Sequence, residues 1–202
     1  MLPVSQGEAL PIAAAPPSLL AGLFRVDQRL SDWIQTKRTP ATDRAAKWLK
    51  CLGDGRYSLP PLGALLAYGV IADDGLAMRA ALIAVASFAL TGGFVGLLQM
   101  LFHRHRPCTG ATPDQFDGPR YSKHHCFPSG HASAAWSVLA AIGLSYADWP
   151  LVGICAFTLA GLTALSRLND HAHWPSDVVV GVGIAYGIAT TLVHVFPVVT
   201  AL

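Results

Sequence analysis

Two histidines stand in short polar motifs that border apolar stretches of the sequence. His131 ends the motif PSGH, and His173 is followed four residues later by Asp177. One imidazole can attack phosphorus while a second, protonated imidazole delivers a proton to the leaving alkoxide. A carboxylate one helical turn away can hold the attacking ring in its reactive tautomer. The pattern indicates phosphoryl transfer through a phosphohistidine, with His173 as nucleophile, Asp177 as its partner and His131 as acid.

Groups that bind anions occur in the same motifs. Arg106 in HRHRP and Arg167 in SRLND are planar cations that can each grip a phosphate with two parallel hydrogen bonds. Ser129 is the predicted N-cap of a helix beginning at Gly130, whose free N–H groups and dipole would favour an anion. Pro175 fits the first turn of another helix. Two helix N-termini and two arginines are therefore expected around one phosphate.

A metal site is the main chemical alternative. His171 with His173, or His124 with His125 and Cys126, would offer ligands of the zinc type. Few carboxylates lie near these residues, and the arginines would repel a cation. We therefore expect no metal and no other cofactor.

The composition is that of a membrane protein. Hydrophobic residues make up 52% of the 202 residues, charged residues only 13%, and the mean hydropathy is +0.44. Soluble domains are roughly one quarter charged. The formal net charge of +2 is too small to suggest a nucleic-acid partner.

Apolar stretches of helical length dominate the C-terminal three quarters of the sequence. A spanning helix needs about 20 apolar residues, with about 17 as a lower limit, so the first and third stretches are short. The predicted fold class is an all-α, polytopic membrane bundle of about five to six helices, with amphipathic interfacial helices before it. Small-residue pairs, Gly92 with Gly96 and Gly183 with Gly187, predict close helix contacts. The five stretches are 58–72, 79–102, 131–147, 149–168 and 175–199.

The N-terminal part has a different pattern. Residues 1–22 are predicted to be a loose lead-in, and residues 23–57 mix apolar side chains with basic ones. Amphipathic helices at the membrane interface would explain Trp33 and Trp48 at headgroup level. A solvated helical pair packed on the protein is the alternative. With residues 58–202, the segment 23–57 is expected to form one domain.

Counting the crossings places the polar motifs on one side of the membrane. They lie at the end of the second apolar stretch, the start of the third, the end of the fourth and the start of the fifth. Ionisable residues beside membrane helices are costly and tend to mark function. The side that carries these four ends is therefore the predicted active face.

The order RP, PSGH and SRLNDHAHWPSD resembles the signature of the type 2 phosphatidic acid phosphatase superfamily, which also contains vanadium-dependent haloperoxidases. The resemblance spans about 52–193 and includes CLGDG before the first apolar stretch. It implies a metal-independent phosphatase. It also implies roles for seven residues: phosphate binding by Arg106, Ser129, Gly130 and Arg167, acid catalysis by His131, and a nucleophile pair of His173 and Asp177.

One position departs from the family pattern. The family has a lysine seven residues before the arginine of its first motif, where this sequence has Gln99. An amide can still donate to phosphate, but a charge-assisted bond is roughly twice as strong. We still expect Gln99 to bind phosphate. Arg104, His103 or Lys123 would be candidates to supply the positive charge of the family lysine.

The expected substrate is a membrane lipid phosphate, held with its headgroup at the surface and its tail in the bilayer. By resemblance, the candidates are undecaprenyl diphosphate, phosphatidic acid, phosphatidylglycerol phosphate and the phosphate of lipid A. Two other functions stay open: a lipid phosphotransferase using the same site, and a catalytically weak lipid-phosphate binder or transporter, which Gln99 motivates.

Membrane orientation gives conflicting signals. Lys and Arg are concentrated on the active face, which the positive-inside rule would place in the cytoplasm. The resemblance implies the periplasmic face of a bacterial inner membrane. We favour this face because several of these basic residues are expected to bind phosphate and so do not report on topology.

A disulfide between Cys108 and Cys126 would fit that compartment and stabilise the loop between them by about 3 kcal/mol. Two free thiols are the alternative.

Overall fold

The chain forms a helical bundle in the computed structural model, which describes residues 19–119 and 125–197. Within these ranges no β-strand occurs, and the all-α fold class is confirmed. A 3-10 turn, Lys50–Gly53, follows the second helix, and another, Pro107–Thr109, follows the fourth. The seven helices are α1 (Leu19–Thr36), α2 (Pro40–Leu49), α3 (Gly55–Ile71), α4 (Gly75–Phe102), α5 (Gly130–Ser145), α6 (Pro150–Asn169) and α7 (Pro175–Val195).

Three of these helices, α4, α6 and α7, are long and apolar enough to cross a membrane, as judged from length and composition over the described residues. α3 has 17 residues and α5 has 16, so the predicted shortness of the first and third apolar stretches is confirmed. The other predicted boundaries agree with the helices to within about one helical turn. The last residues of the fifth stretch lie outside the described range.

α5 is the centre of the bundle and packs against α4, α6 and α7. Its buried side is built largely from alanine and other small residues, and α4 also buries alanines. Small side chains allow helix backbones to approach closely, which is the usual way in which helices associate in a bilayer. The short α5 is thereby held with its first turn at the active face. The buried alanines are Ala132, Ala135, Ala140 and Ala141 of α5, with Ala77, Ala80, Ala81 and Ala84 of α4.

The predicted glycine contacts are wrong. A Cβ atom placed on Gly92, Gly96, Gly183 or Gly187 would meet no atom within 4 Å in the described part of the chain. Close approach occurs instead at Gly181, where a Cβ atom would lie 2.9 Å from the Ser129 carbonyl oxygen. Two glycines four residues apart mark a helix face that can approach a neighbouring helix. The tertiary fold decides whether a neighbour lies against that face.

The amphipathic helices α1 and α2 lie against the active end of α6. Gln35 of α1 donates a hydrogen bond to the Leu168 carbonyl at 3.0 Å, and Asn169 donates to Asp43 of α2 at 2.9 Å. Trp48 remains 80% exposed. The helices are thus packed on the bundle while leaving apolar surface at the level of the active face. Their contact with the bilayer, and the division at residues 22 and 57, stay predictions.

Candidate active site

The four motifs meet at one end of the bundle, as the crossing count predicts. The Ser129 amide before α5 donates to the Asp177 carbonyl of α7 at 2.9 Å. Arg106 in the loop after α4 donates to the His125 carbonyl at 3.1 Å. His131, on the first turn of α5, is exposed at this end. Side chains from four separate parts of the chain therefore surround one polar site.

His173 is held in a single tautomer by the backbone. Its ring is only 4% exposed, and Nδ1 lies 2.8 Å from the Cys126 carbonyl oxygen. A carbonyl only accepts hydrogen bonds, so Nδ1 carries the proton and Nε2 keeps its lone pair. Burial lowers the pKa of His173 below that of an ordinary histidine, which keeps the ring neutral. This is the state of an imidazole that can attack phosphorus.

Asp177 contacts His173 less directly than the four-residue spacing suggests. Its Oδ2 atom is 3.8 Å from His173 Nδ1, which is beyond hydrogen-bond distance. The same oxygen accepts from the Trp174 amide at 2.8 Å and from the Cys126 thiol at 2.7 Å. At the third position of α7, a carboxylate reaches back to cap the helix start. Asp177 therefore acts on His173 through its charge, and its catalytic role stays a prediction.

Three of the predicted phosphate-binding residues carry buried donors that have no hydrogen-bond partner in the described part of the chain. They are Nε and Nη1 of Arg167, Nε of Arg106 and the hydroxyl of Ser129. Arg167 is 6% exposed, and its Nη2 donates to Asp170 at 2.8 Å. Leaving such donors unpaired costs free energy, because each has lost its bonds to water. An oxyanion with several acceptor oxygens is the ligand that would satisfy them.

The two helix N-termini differ in what they offer an anion. α5 begins at Gly130 with Ser129 at the N-cap position, but the serine hydroxyl makes no capping bond. The first N–H groups of α5 therefore remain for a ligand. At α7, the Ser176 amide donates to Asp27 at 2.8 Å, so a carboxylate of the protein already occupies that terminus. The expectation of two open N-termini is corrected to one.

Gln99 supports the PSGH turn. Its Nε2 donates to the Pro128 carbonyl at 2.8 Å, and a Cβ atom on Gly130 would lie 3.4 Å from the same nitrogen. The amide thus stands beside the predicted phosphate site with one N–H already used. Arg104 does not supply the missing charge, because it is 1% exposed and engaged by carboxylates. Lys123 lies outside the described residues.

The cysteines do not form the disulfide considered above. Cys108 is exposed and Cys126 is buried, and both are free thiols. Burial and the nearby Asp177 raise the pKa of the Cys126 thiol, so it stays protonated and donates to that carboxylate. The pair separates because Cys126 turns inward to the site.

One group of side chains has the spacing of a metal site. Potential ligand atoms of Cys126, His173 and Asp177 lie within 4.8 Å of one another. A protonated thiol is a poor ligand, and the carboxylate is already paired with Arg104. The donor set therefore does not fit a metal ion well. Of the alternative set, His124 lies outside the described residues.

Gly53 in CLGDG is required by a close approach to the site. A Cβ atom there would lie 2.3 Å from the His131 carbonyl oxygen. Gly53→Ala is expected to destabilise the protein by about 1–3 kcal/mol through overpacking and to lower activity by displacing His131. Thermal unfolding and phosphate release would measure both effects. Gly63→Ala in α3 is the control, because its Cβ meets no atom within 4 Å. Equal stability of the two variants would contradict this prediction.

A family model places this arrangement among known proteins. Residues 80–200 match the model of the PAP2 superfamily. The chain belongs to the PAP2 superfamily. The matched region contains all eight predicted site residues and the helices α5, α6 and α7. It leaves out α1 and α2.

Individual relatives agree with this assignment. A lipid A 1-phosphatase of Porphyromonas gingivalis is 33% identical over 102 residues, which cover 49% of this chain and 20% of that protein. A PAP2 type phosphatidylglycerolphosphate phosphatase from Bacillus subtilis superposes with a TM-score of 0.67, at 19% identity over 86% of each chain. LpxE of Aquifex aeolicus superposes with a TM-score of 0.59, at 20% identity over 86% of this chain and 94% of the other. The two solved structures share the fold.

Proposed function

We propose that this protein is an integral membrane phosphatase that hydrolyses a lipid phosphomonoester or diphosphate through a phosphohistidine at His173. The observation that carries the proposal is the set of buried, unpaired donors on Arg106, Arg167 and Ser129, which lie at the same end of the bundle as His173 and His131. An anion with tetrahedral oxygens satisfies these donors. A neutral imidazole beside it is placed to attack.

The reaction has two steps. Nε2 of His173 attacks phosphorus, the bond from phosphorus to the leaving oxygen breaks, and His131 protonates the leaving group. His131 then takes a proton from water, whose oxygen attacks phosphorus, and the phosphorus–nitrogen bond breaks to release phosphate. Arg106, Arg167 and the N–H groups of α5 stabilise the charge that develops on the equatorial oxygens. No step uses a metal, so activity should persist in the presence of EDTA.

The substrate class follows from the position of the site at the ends of apolar helices. A headgroup phosphate can reach the donors there while the lipid tail stays in the bilayer. The names of the relatives point to lipid A and phosphatidylglycerol phosphate, and undecaprenyl diphosphate and phosphatidic acid belong to the same chemical class.

We place the site on the periplasmic face of a bacterial inner membrane. Accessibility of the exposed Cys108 to an impermeant thiol reagent in intact cells tests that orientation.

Phosphate release from these four lipids tests the function. The protein would be assayed in detergent with EDTA present, and water-soluble glycerol phosphate would be the control substrate without a tail. Release from at least one lipid, well above release from glycerol phosphate, is the expected result. Transfer of the phosphoryl group to an added alcohol instead of water would indicate a phosphotransferase. Binding without any turnover would contradict the proposal and favour the lipid-phosphate binder that Gln99 motivates.

Gln99→Lys is expected to raise kcat/KM by about 3- to 10-fold, because a charge-assisted bond to phosphate is stronger than a neutral one. The matched control is Gln99→Met, which keeps the length of the side chain and removes both donors. It should lose activity, since it also releases the Pro128 carbonyl. Initial rates on the best lipid of the panel measure the effect. A lysine variant that is no better than wild type would contradict a phosphate-binding role at this position.

A further inference from the structure

Asp27 is a buried charge on a helix that exposes many of its apolar side chains. Its side chain is 1% exposed, whereas Leu20, Leu23 and Trp33 of the same helix are 59%, 44% and 58% exposed. A carboxylate is almost never fully buried unless it is paired. α1 therefore directs a charge into the protein that requires specific partners.

The partners of Asp27 lie next to the candidate nucleophile pair. Oδ1 accepts from the Ser176 amide at 2.8 Å, and Oδ2 accepts from the Ser176 hydroxyl at 2.5 Å. Oδ2 also accepts from Nη2 of Arg104 at 2.7 Å. Asp27 thus fixes the first turn of α7 one residue before Asp177.

Arg104 continues the connection. Its Nη1 donates to Oδ1 of Asp177, and its Nε donates to the Pro113 carbonyl at 2.8 Å. The guanidinium is 1% exposed, so it serves Asp177 and has no access to a substrate. Three aromatic rings enclose it, with centroids 5.5, 5.3 and 5.7 Å from its central carbon: Phe24, Phe116 and Trp174.

These contacts control the charge beside His173. One oxygen of Asp177 bonds to Arg104, and the other lies 3.8 Å from His173 Nδ1. Arg104 therefore fixes the orientation of the carboxylate and offsets part of its charge. Asp27 in turn offsets part of the charge on Arg104, which lies between the two carboxylates.

We propose that Asp27 and Arg104 are positioning residues for the reaction at His173. They join α1 to Asp177 by a continuous chain of buried hydrogen bonds and so set the orientation and charge of the carboxylate beside the nucleophile. The role rests on the proposed phosphatase function. It makes α1, which lies outside the region matched by the family model, a part of the catalytic scaffold.

Several other charged or titratable groups also face His173, and none of them is replaced when this pair is changed. They are the Cys126 thiol from the loop before α5, His131 of α5, Arg106 from the loop after α4, and Arg167 of α6. A shift in the titration of His173 in variants of Asp27 or Arg104 therefore reports on Asp177 and the pair.

Asp27→Asn and Arg104→Gln test the proposal, with Asp32→Asn as the matched control because Asp32 is exposed on the same helix. Both test variants should lower kcat by about 10- to 100-fold, the usual effect of a small misplacement of catalytic groups. KM should change far less, since neither side chain touches the substrate. Loss of the Asp27 charge leaves more of the positive charge of Arg104 uncompensated near His173. Protonation of His173 then becomes harder, so the acid limb of kcat/KM should move to lower pH. Loss of the Arg104 charge should move it to higher pH.

If Asp27 and Arg104 position the site, the acid limb of kcat/KM moves in opposite directions in the two variants. If their role is only structural, both variants lose activity without these opposite shifts. Folded variants with wild-type kcat, or with acid limbs that move the same way, would overturn the proposal. If neither variant folds, Ser176→Ala decides: it keeps both charges, and an unchanged kcat would overturn the role while a several-fold loss supports it. Absence of turnover in wild type and in Asp32→Asn would contradict the phosphatase function itself.

Discussion

Replacing His173 with alanine is expected to lower phosphate release by about 10⁴- to 10⁶-fold, the range found when a member of a catalytic triad is removed. The ring is buried, neutral and fixed through Nδ1 by the Cys126 carbonyl. No other described side chain at this end of the bundle combines these properties. The assay is initial-rate phosphate release from the best lipid substrate with EDTA present.

His171→Asn is the control for that substitution. His171 lies two residues away in the same turn and has a backbone φ of 52°, a conformation that asparagine tolerates. It should retain activity near that of wild type. His173→Ala should still be stabilised against heat by inorganic phosphate, because Arg106, Arg167 and Ser129 remain. Retention of substantial turnover in His173→Ala would exclude this histidine as the nucleophile.

Arg167→Lys is expected to lower kcat/KM by about 10²- to 10³-fold, the effect of losing aligned donors to a developing oxyanion. The substitution keeps the positive charge but removes the planar fork. Arg167 is 6% exposed, and its Nε and Nη1 atoms are unpaired donors whose directions the guanidinium plane fixes. Steady-state kinetics on the same lipid would measure the loss.

The matched control is Arg38→Lys. Arg38 also bonds to an aspartate, Asp43, at 2.6 Å, but its side chain is 41% exposed and stands outside the site. Its substitution should leave kcat/KM unchanged. If the two lysine variants behave alike, the guanidinium geometry of Arg167 contributes nothing beyond its charge, and the role of Arg167 as an aligned donor fails.

The sequence predicts the site well where a motif carries both the chemistry and its local structure. PSGH gives a helix start at Gly130, and SRLNDHAHWPSD places Arg167 and His173 around a single turn. Because both motifs border apolar stretches, counting the crossings is enough to bring them together. The helix boundaries follow from the same alternation of apolar and polar segments.

Contacts made by backbone atoms, or between residues far apart in the sequence, could not be predicted from the motifs. The carbonyl that orients His173 belongs to Cys126, and a carbonyl leaves no trace in residue type. Asp27 and Arg104 are 77 positions apart, and only the fold brings them together. Asp27 and Ser31, spaced by one helical turn, are both buried, but a solvated polar face would have the same spacing.

The cysteines illustrate the same limit. Their positions on either side of the loop allow a disulfide, and the sequence alone does not exclude one. In the structure, the Cys126 thiol donates to Asp177, and Cys108 faces outward. Cys126 is a free thiol because the buried carboxylate of Asp177 needs hydrogen-bond donors. This need becomes apparent only when the position of Asp177 in the fold is known.

The proposed reaction passes through a covalent bond between phosphorus and His173. The most direct measurement is rapid quenching of the protein during turnover of a lipid that carries a radiolabelled phosphate, followed by peptide mapping under alkaline conditions. A phosphohistidine at this position predicts an acid-labile, alkali-stable label on the peptide that contains His173, and no label in His173→Ala. Full-rate turnover without labelled protein, or a label on another residue, would contradict it.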